Sequence, residues 1–287
     1  MVTRFFIYVC RLLSYLPRPI VNGLGNVVGS ILWLLAKPRR RIALRNLELC
    51  FPDWDEAKRV NIAKAHFKAF SRSFFDRFVL WYHTEEAVKK FVRLEGWEHF
   101  LAFKGKPIIL LAPHFLGMDA GGTRFQVESN VASMYAAQKN PVFDEVMTKG
   151  RSRFNRVTML LRTDGIRPAL RLIKQGTPFY FLPDMDLGEK DALFVPFFGV
   201  PAATVTSVAR LAAATKAVVI PIITTLTKDG YEARFHPAWE NYPGDDIEAA
   251  TLKMNQFIEQ EVLKCPEQYL WTHKRFKTRP LGQPSLY

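Results

Sequence analysis

Pro107-Ile108-Ile109-Leu110-Leu111-Ala112-Pro113-His114-Phe115-Leu116-Gly117-Met118-Asp119 is the stretch that decides how this chain folds. Its first part is a short, wholly apolar run, which predicts a strand buried on both faces. His114 ends that strand, and a helix is expected to start near Gly117. An interval of five puts His114 and Asp119 on no common helix face. It does suit a turn in which the helix's first residues fold back toward the strand end. Asp119 is then expected to accept a hydrogen bond from one imidazole nitrogen and leave the other free as a base. This is the logic of a catalytic triad with a substrate hydroxyl in place of serine. H-x-x-x-x-D is a common pattern by itself; the buried strand in front of it gives it weight. The sequence has no G-x-S-x-G elbow and no G-x-x-x-x-G-K-[ST] phosphate loop, so a nucleophile supplied by the protein is not supported.

Outward from this stretch the pattern alternates. Residues 52–83 read as one long amphipathic helix, with Ala63, Phe67, Phe70 and Phe74 at helical spacing. Further strands are expected at 131–137, 179–184, 218–226 and 231–236, and helices at 142–154, 167–175, 205–215 and 247–263. Such alternation predicts an α/β fold, a mostly parallel central sheet flanked by helices. Ligands of these sheets bind beyond the carboxyl ends of the strands. His114 and Asp184 both end predicted strands and are expected to face one crevice. The expected division is an N-terminal membrane anchor with its basic segment, 1–45, and a catalytic domain, 46–287. Residues 279–287 read as an extended tail.

The 287 residues include 40 Lys and Arg against 27 Asp and Glu, a formal net charge of +13. An excess of that size implies an acidic partner: nucleic acid, anionic lipid or an acidic protein. The 23 Phe tilt the choice toward lipid. Cys10, Cys50 and Cys265 lie far apart with no C-x-x-C spacing, so neither a disulfide framework nor a zinc site is expected. The N-terminus is apolar over 5–36 but interrupted by Arg11, the Pro17-Arg18-Pro19 break, Asn22 and Asn26. Neither half is a clean span of about 20 apolar residues. Lys37-Pro38-Arg39-Arg40-Arg41 follows directly, a cluster that anionic headgroups attract and that favours the cytoplasmic side. An N-terminal apolar, helical, membrane-anchoring segment is therefore expected; a buried helical hairpin followed by a solvated basic turn is the other reading.

Two more stretches stand out. Asp184-Met185-Asp186 places two acids at a strand end. Two carboxylates make a thin metal site, and no metal is assigned; loop hydrogen bonding or positioning of an acceptor substrate is the fuller use of them. Tyr269-Leu270-Trp271-Thr272-His273-Lys274-Arg275-Phe276-Lys277-Thr278-Arg279-Pro280 interleaves bases with aromatics. That pattern suits single-stranded nucleic acid. Beside a membrane anchor it fits a phosphorylated lipid or an acidic carrier better, and a solvated basic tail is the bland alternative.

Taken together these residues resemble a family: the late acyltransferases of lipid A biosynthesis, the lauroyl and myristoyl transferases of Gram-negative bacteria, within the lysophospholipid acyltransferase superfamily. The resemblance spans nearly the whole chain. It is carried by the strand with His114 and Asp119, Lys139-Asn140-Pro141, Gly150-Arg151, Asp184-Met185-Asp186, Val195-Pro196-Phe197-Phe198-Gly199, Ala202-Ala203-Thr204, Pro266-Glu267-Gln268-Tyr269-Leu270-Trp271 and Arg275-Phe276-Lys277-Thr278-Arg279-Pro280. It implies an acyl carrier protein thioester as donor, with its phosphopantetheine arriving as part of that substrate and no other cofactor. It implies an acylated glucosamine disaccharide phosphate as acceptor, and work at the cytoplasmic face of the inner membrane. The family's His–acid pair falls on His114 and Asp119, where many members carry Glu as the acid, and an arginine near the site falls on Arg151. Asp184, Asp186, Arg275, Lys277 and Arg279 are expected to bind substrate. A different lipid acceptor with a coenzyme A donor, a thioesterase, and a non-catalytic tethering protein are the competing readings. Acyl chain length depends on pocket depth, which no local motif encodes.

Overall fold

A computed structural model describes residues 2–154 and 156–287. The chain opens with α1 (Val2–Leu13), α2 (Arg18–Leu35), α3 (Lys37–Cys50) and the long α4 (Glu56–Tyr82). Then come α5 (Glu85–Phe91), β1 (Val92–Glu95), α6 (Trp97–Leu101), β2 (Ile108–Leu111), α7 (Met118–Glu128) and β3 (Val131–Tyr135). The middle holds α8 (Pro141–Arg151), β4 (Val157–Leu161), α9 (Arg167–Lys174) and β5 (Phe179–Phe181). The last part is β6 (Ala192–Phe197), β7 (Val200–Val205), α10 (Ser207–Thr215), β8 (Val218–Leu226), β9 (Tyr231–Phe235) and α11 (Ile247–Lys264).

Among the described residues, seven strands form one sheet in the order β1-β9-β8-β2-β5-β3-β4. Every neighbouring pair is parallel except β8 with β9. β2 lies at the centre, and all four of its residues are buried. Its alternation divides the interior in two, because successive side chains point to opposite faces. Ile109 and Leu111 join one core, with side chains from α3, α9, α10 and α11. Ile108 and Leu110 join the other, with α5, α6, α7 and α8. The fully apolar run was thus a faithful signal of a strand covered on both sides.

Four strands went unread in the sequence, and each has a reason. β1 is only four residues long and its helix α5 runs directly into it. β4 is an edge strand whose side chains are half-exposed throughout, so it shows no alternation. β6 and β7 contain Pro196 and Pro201, which argue against strands inside a sheet. They pair only with each other, as a separate antiparallel hairpin in which the two prolines are opposite partners. The turn is Phe198-Gly199, both with positive φ (49° and 75°), the geometry of a two-residue hairpin loop. Because β7 runs to Val205, the helix expected from that residue starts at Ser207 instead.

The N-terminal helices pack onto the body of the protein. α2 lies along α4, and the approach is closest at two glycines one turn apart. A Cβ on Gly29 would stand 2.5 Å from the Lys68 Cα, and one on Gly25 would stand 2.7 Å from the Arg72 Cγ. Arg18 of α2 pairs with the buried Asp76 of α4, whose second oxygen accepts from the Tyr231 hydroxyl of β9 at 2.8 Å. The boundary expected at residue 45 falls inside α3, and that helix buries Ala43 and Leu47 in the core beneath the sheet. Among the described residues no single helix is long and apolar enough to cross a membrane. α2 and α3 pass such a test only as a pair, and they are bent by 91°.

Gly29→Val tests the α2–α4 contact, since backbone on α4 leaves its Cβ no room. Overpacking of this kind costs about 1–3 kcal/mol. Thermal unfolding should shift down in Gly29→Val and not in Gly23→Ala, whose Cβ meets nothing within 4 Å.

Candidate active site

β2 delivers the chain to the carboxyl edge of the sheet, where Ala112-Pro113-His114 begins a loop bound on two sides. On one side the Ala112 amide donates to the Phe181 carbonyl at 2.9 Å. On the other, the Leu116 amide donates to Gln268 O and the Leu270 amide donates to His114 O, with Phe115 bridged to Tyr269. The Pro266–Trp271 run therefore serves as a clamp for the histidine loop. α7 then starts at Met118. A Cβ on Gly117 or Gly121 would stand 2.4 Å and 2.1 Å from the carbonyl and hydroxyl oxygens of Thr224. These two glycines let α7 lie directly on β8.

His114 is held by Asp184, not by Asp119. The Asp184 carboxylate accepts from the His114 amide (2.9 and 3.1 Å) and from its Nδ1 at 2.6 Å. An ionised carboxylate only accepts hydrogen bonds, so Nδ1 carries a proton, and in the neutral ring the lone pair falls on Nε2. Asp184 is 2% exposed. Burial alone would raise its pKa, but His114 and Arg275 hold it below the ordinary carboxylate value.

Asp119 lies in the first turn of α7 and faces α4 and α8 instead of the histidine. Its Oδ2 accepts from Arg77 Nε at 2.7 Å. Its Oδ1 accepts from Arg151 Nε at 2.9 Å and from the same guanidinium's Nη2 at 2.6 Å. The physical reason for this departure from the sequence reading is charge. A carboxylate buried between two guanidiniums is worth more than one sharing a neutral imidazole that already has a partner. Burial would raise the Asp119 pKa; Arg151 and Arg77 overcome that and hold it at about 2. Arg77 sits 42 residues away on α4, and no local spacing points to it.

Of four further residues expected at substrate, three turn out to have partners of their own. Asp186 is buried and accepts from Gly188 N, Thr278 N and Thr278 Oγ1 (3.0, 2.6 and 2.7 Å), pinning the C-terminal segment. Its own amide donates to His273 Nε2. Burial, with His114 and Arg275 nearby, lowers the His273 pKa to about 4, so that ring is neutral. Arg275, 2% exposed, donates to Ala203 O and Thr204 Oγ1 of β7. It is a strut between the tail and the hairpin, too enclosed to meet a phosphate. Arg279 donates to Pro201 O at 2.7 Å and to Gln283. Lys277 alone is exposed and free of such bonds among the described residues. Nor do three His, Cys, Asp or Glu side chains converge anywhere among the described residues in a way that could hold a metal.

His114, Asp119 and Arg151 do share one feature: all three line a cavity of about 600 Å³. It lies between α7 and strands β3–β5, and Met118, Gly122 and Tyr180 are among the other residues of its wall. None of the hydrogen bonds among the described residues uses Arg151 Nη1. The arrangement offers a base, a cation and a largely apolar recess in one place. It suits removal of a proton from a hydroxyl beside a long apolar chain.

Removing the Asp119 charge should separate its structural part from any chemical one. Asp119→Asn leaves two guanidiniums without a carboxylate and is expected to destabilise the fold by about 3 kcal/mol, read from denaturant midpoints. The folded pKa of about 2 lies below the ordinary 3.8. The wild-type contribution is therefore present above about pH 4 and is lost as pH falls through about 2; the Asn variant should lack that part of the acid slope.

Comparison with known proteins gives this geometry its context. The chain is 31% identical over 291 residues to the lipid A biosynthesis palmitoleoyltransferase of Escherichia coli K12, covering 99% of this chain and 94% of that one. It is 32% identical over 284 residues to the lipid A biosynthesis lauroyltransferase of the same organism, covering 97% and 92%. The solved structure of a 1-acyl-sn-glycerophosphate acyltransferase from Thermotoga maritima matches with a TM-score of 0.43 at 13% identity, over 86% of this chain and 98% of that one. A family model described as bacterial lipid A biosynthesis acyltransferase matches residues 1–278, and the chain belongs to that family of acyltransferases.

Proposed function

We propose that this protein transfers a fatty acyl chain from an acyl carrier protein thioester to a hydroxyl of a lipid A precursor, with His114 as general base. One observation carries the assignment: Asp184 holds Nδ1 of a histidine that lines a mostly apolar cavity, the arrangement that assigns the base role to Nε2 of the neutral ring. Asp184 takes the orienting role that the sequence reading gave to Asp119. Asp119 becomes a positioning residue that holds Arg151 at the cavity.

In this mechanism Nε2 takes the proton of the acceptor hydroxyl as the oxygen attacks the thioester carbonyl carbon. Asp184 stabilises the imidazolium that forms. The oxyanion of the tetrahedral intermediate needs a donor, and the unused Nη1 of Arg151 is the candidate. Collapse breaks the C–S bond, and the imidazolium returns its proton to the departing thiolate. The new ester and a free carrier thiol result. The net charge of +13 favours both an acidic carrier and a phosphorylated acceptor.

The membrane reading rests on α1 and α2. They leave Phe5, Phe6, Leu12, Ile31, Leu34 and Leu35 exposed, immediately before the basic run at Lys37. An apolar face followed by a basic edge suits a helix pair lying in an anionic leaflet on the cytoplasmic side of the inner membrane. Wild-type protein should float with vesicles of anionic phospholipid, and Phe5→Glu/Leu34→Glu/Leu35→Glu should not. Equal flotation of the two would remove this anchor.

The activity is tested with purified protein, carrier proteins loaded with C10 to C16 chains, and a tetra-acylated lipid A precursor, with products read by mass spectrometry. One added chain is expected. Loss of the base should lower the rate about 100- to 10,000-fold in His114→Ala. Asp184→Asn should fall by a similar factor, since the amide no longer fixes the tautomer. Free fatty acid in place of an acylated lipid would indicate a thioesterase. Transfer from coenzyme A but not from the carrier would redirect the donor assignment. Full activity in His114→Ala would sink the mechanism.

A further inference from the structure

The cavity beside His114 has a direction and a floor. On α7 the lining residues Met118, Gly122 and Gln126 recur every four positions and so form one stripe along the helix. Val131 and Val157, which also line it, are the first residues of β3 and β4. His114 lies at the opposite, carboxyl edge of the sheet. The cavity therefore runs the length of the strands, from the base to their starting edge. The rise from Met118 to Gln126 is about 12 Å along the helix. The length of β3 is about 13 Å by strand geometry.

Midway the wall is formed by Gly122, where a Cβ would come into ordinary contact with the Tyr180 ring at 3.6 Å. At the far end the wall changes character. Gln126 is 2% exposed, and its amide makes no hydrogen bond among the described residues; its Oε1 is fully buried without a partner. Thr123, equally buried, lines the same end. Buried amides are nearly always satisfied, so an unsatisfied one in a residue that lines a cavity calls for an explanation. A chain that advanced past this point would meet the Gln126 side chain itself, whose bulk stands in the wall at this end.

We infer that Gln126 is the floor of the acyl groove and sets the longest chain this enzyme accepts. An extended alkyl chain advances about 1.3 Å per carbon, from bonds of about 1.5 Å at tetrahedral angles. The groove thus holds a chain of about ten to twelve carbons with its carbonyl beside His114. The inference rests on the acyl-transfer reading given above, and it adds the residue that limits chain length.

The test uses the full chain in detergent and an equimolar mixture of carrier thioesters from C8 to C16, with product ratios read by mass spectrometry. Gln126→Ala should raise the C14:C12 ratio by about tenfold or more, and Gln126→Phe should lower C12:C8 by a similar factor; single methylenes in a closed pocket discriminate on this scale. Gln126→Ser is the second enlarging variant should Ala prevent folding. In parallel, free acids from C8 to C16 displace a fluorescent fatty acid from the same proteins, which needs no turnover. Transfer with unchanged ratios in the folded variants overturns the inference and leaves the acyltransferase assignment standing. No transfer from any donor, with a displacement cutoff that still moves with residue 126, keeps the groove and overturns the reaction. No transfer and no movement overturn both.

Discussion

A single buried carboxylate, Asp184, organises the centre of this protein. It accepts from both the amide and the imidazole of His114, so it fixes the backbone and the side chain of one residue together. That double hold joins the exit of β2 to the exit of β5, two strands that are neighbours in the sheet. The arrangement requires both strands to end in register. It also requires the space behind them to be closed by the Pro266–Trp271 segment, which binds the same loop from the other side. The tautomer, the ring orientation and the route of the C-terminal segment all follow from this one group.

Around it, the site spends its charges on structure. Asp119 bridges Arg77 and Arg151 where α4, α7 and α8 meet, leaving the cluster one positive charge in excess. Asp186 caps the turn before Thr278, and Arg275 fills carbonyl and hydroxyl acceptors on β7. Asp186 and Arg275 are buried and Asp119 nearly so, and charges in such places are held by the partners they find. The consequence for function is division of labour. The cavity wall beside the histidine is mostly apolar, with Asp119, Ser133, Arg151 and Arg162 among its polar members.

The relatives show why a shared reaction leaves room for difference. A palmitoleoyltransferase and a lauroyltransferase are about equally similar to this chain. Acyl preference therefore does not follow overall similarity. On the groove inferred above, it would belong to a few side chains whose placement is set by how α7 lies on the sheet. Gly117 and Gly121 bring that helix against β8, which in turn fixes how far its stripe stands from β3 and β4.

Much of this protein was legible in the order of its residues. The apolar run at 107–112, buried on both faces, marked the centre of a parallel sheet, because only such a strand needs no polar side. The position of His114 at its end marked the crevice. The long spacing of Ala63, Phe67, Phe70 and Phe74 marked α4. The hairpin of β6 and β7 was hidden because prolines argue against strands, and only their mutual pairing makes them tolerable. The partner of His114 was hidden for a deeper reason. Asp119 is five residues away and Asp184 is seventy, yet the parallel pairing of β2 and β5 brings the distant acid to 2.6 Å while helix geometry turns the near one toward Arg77 and Arg151. Residue type and local period settle which elements form and where a site can lie; which side chains meet there is decided by the crossing of elements far apart in the chain, where the cost of burying each charge selects its partner.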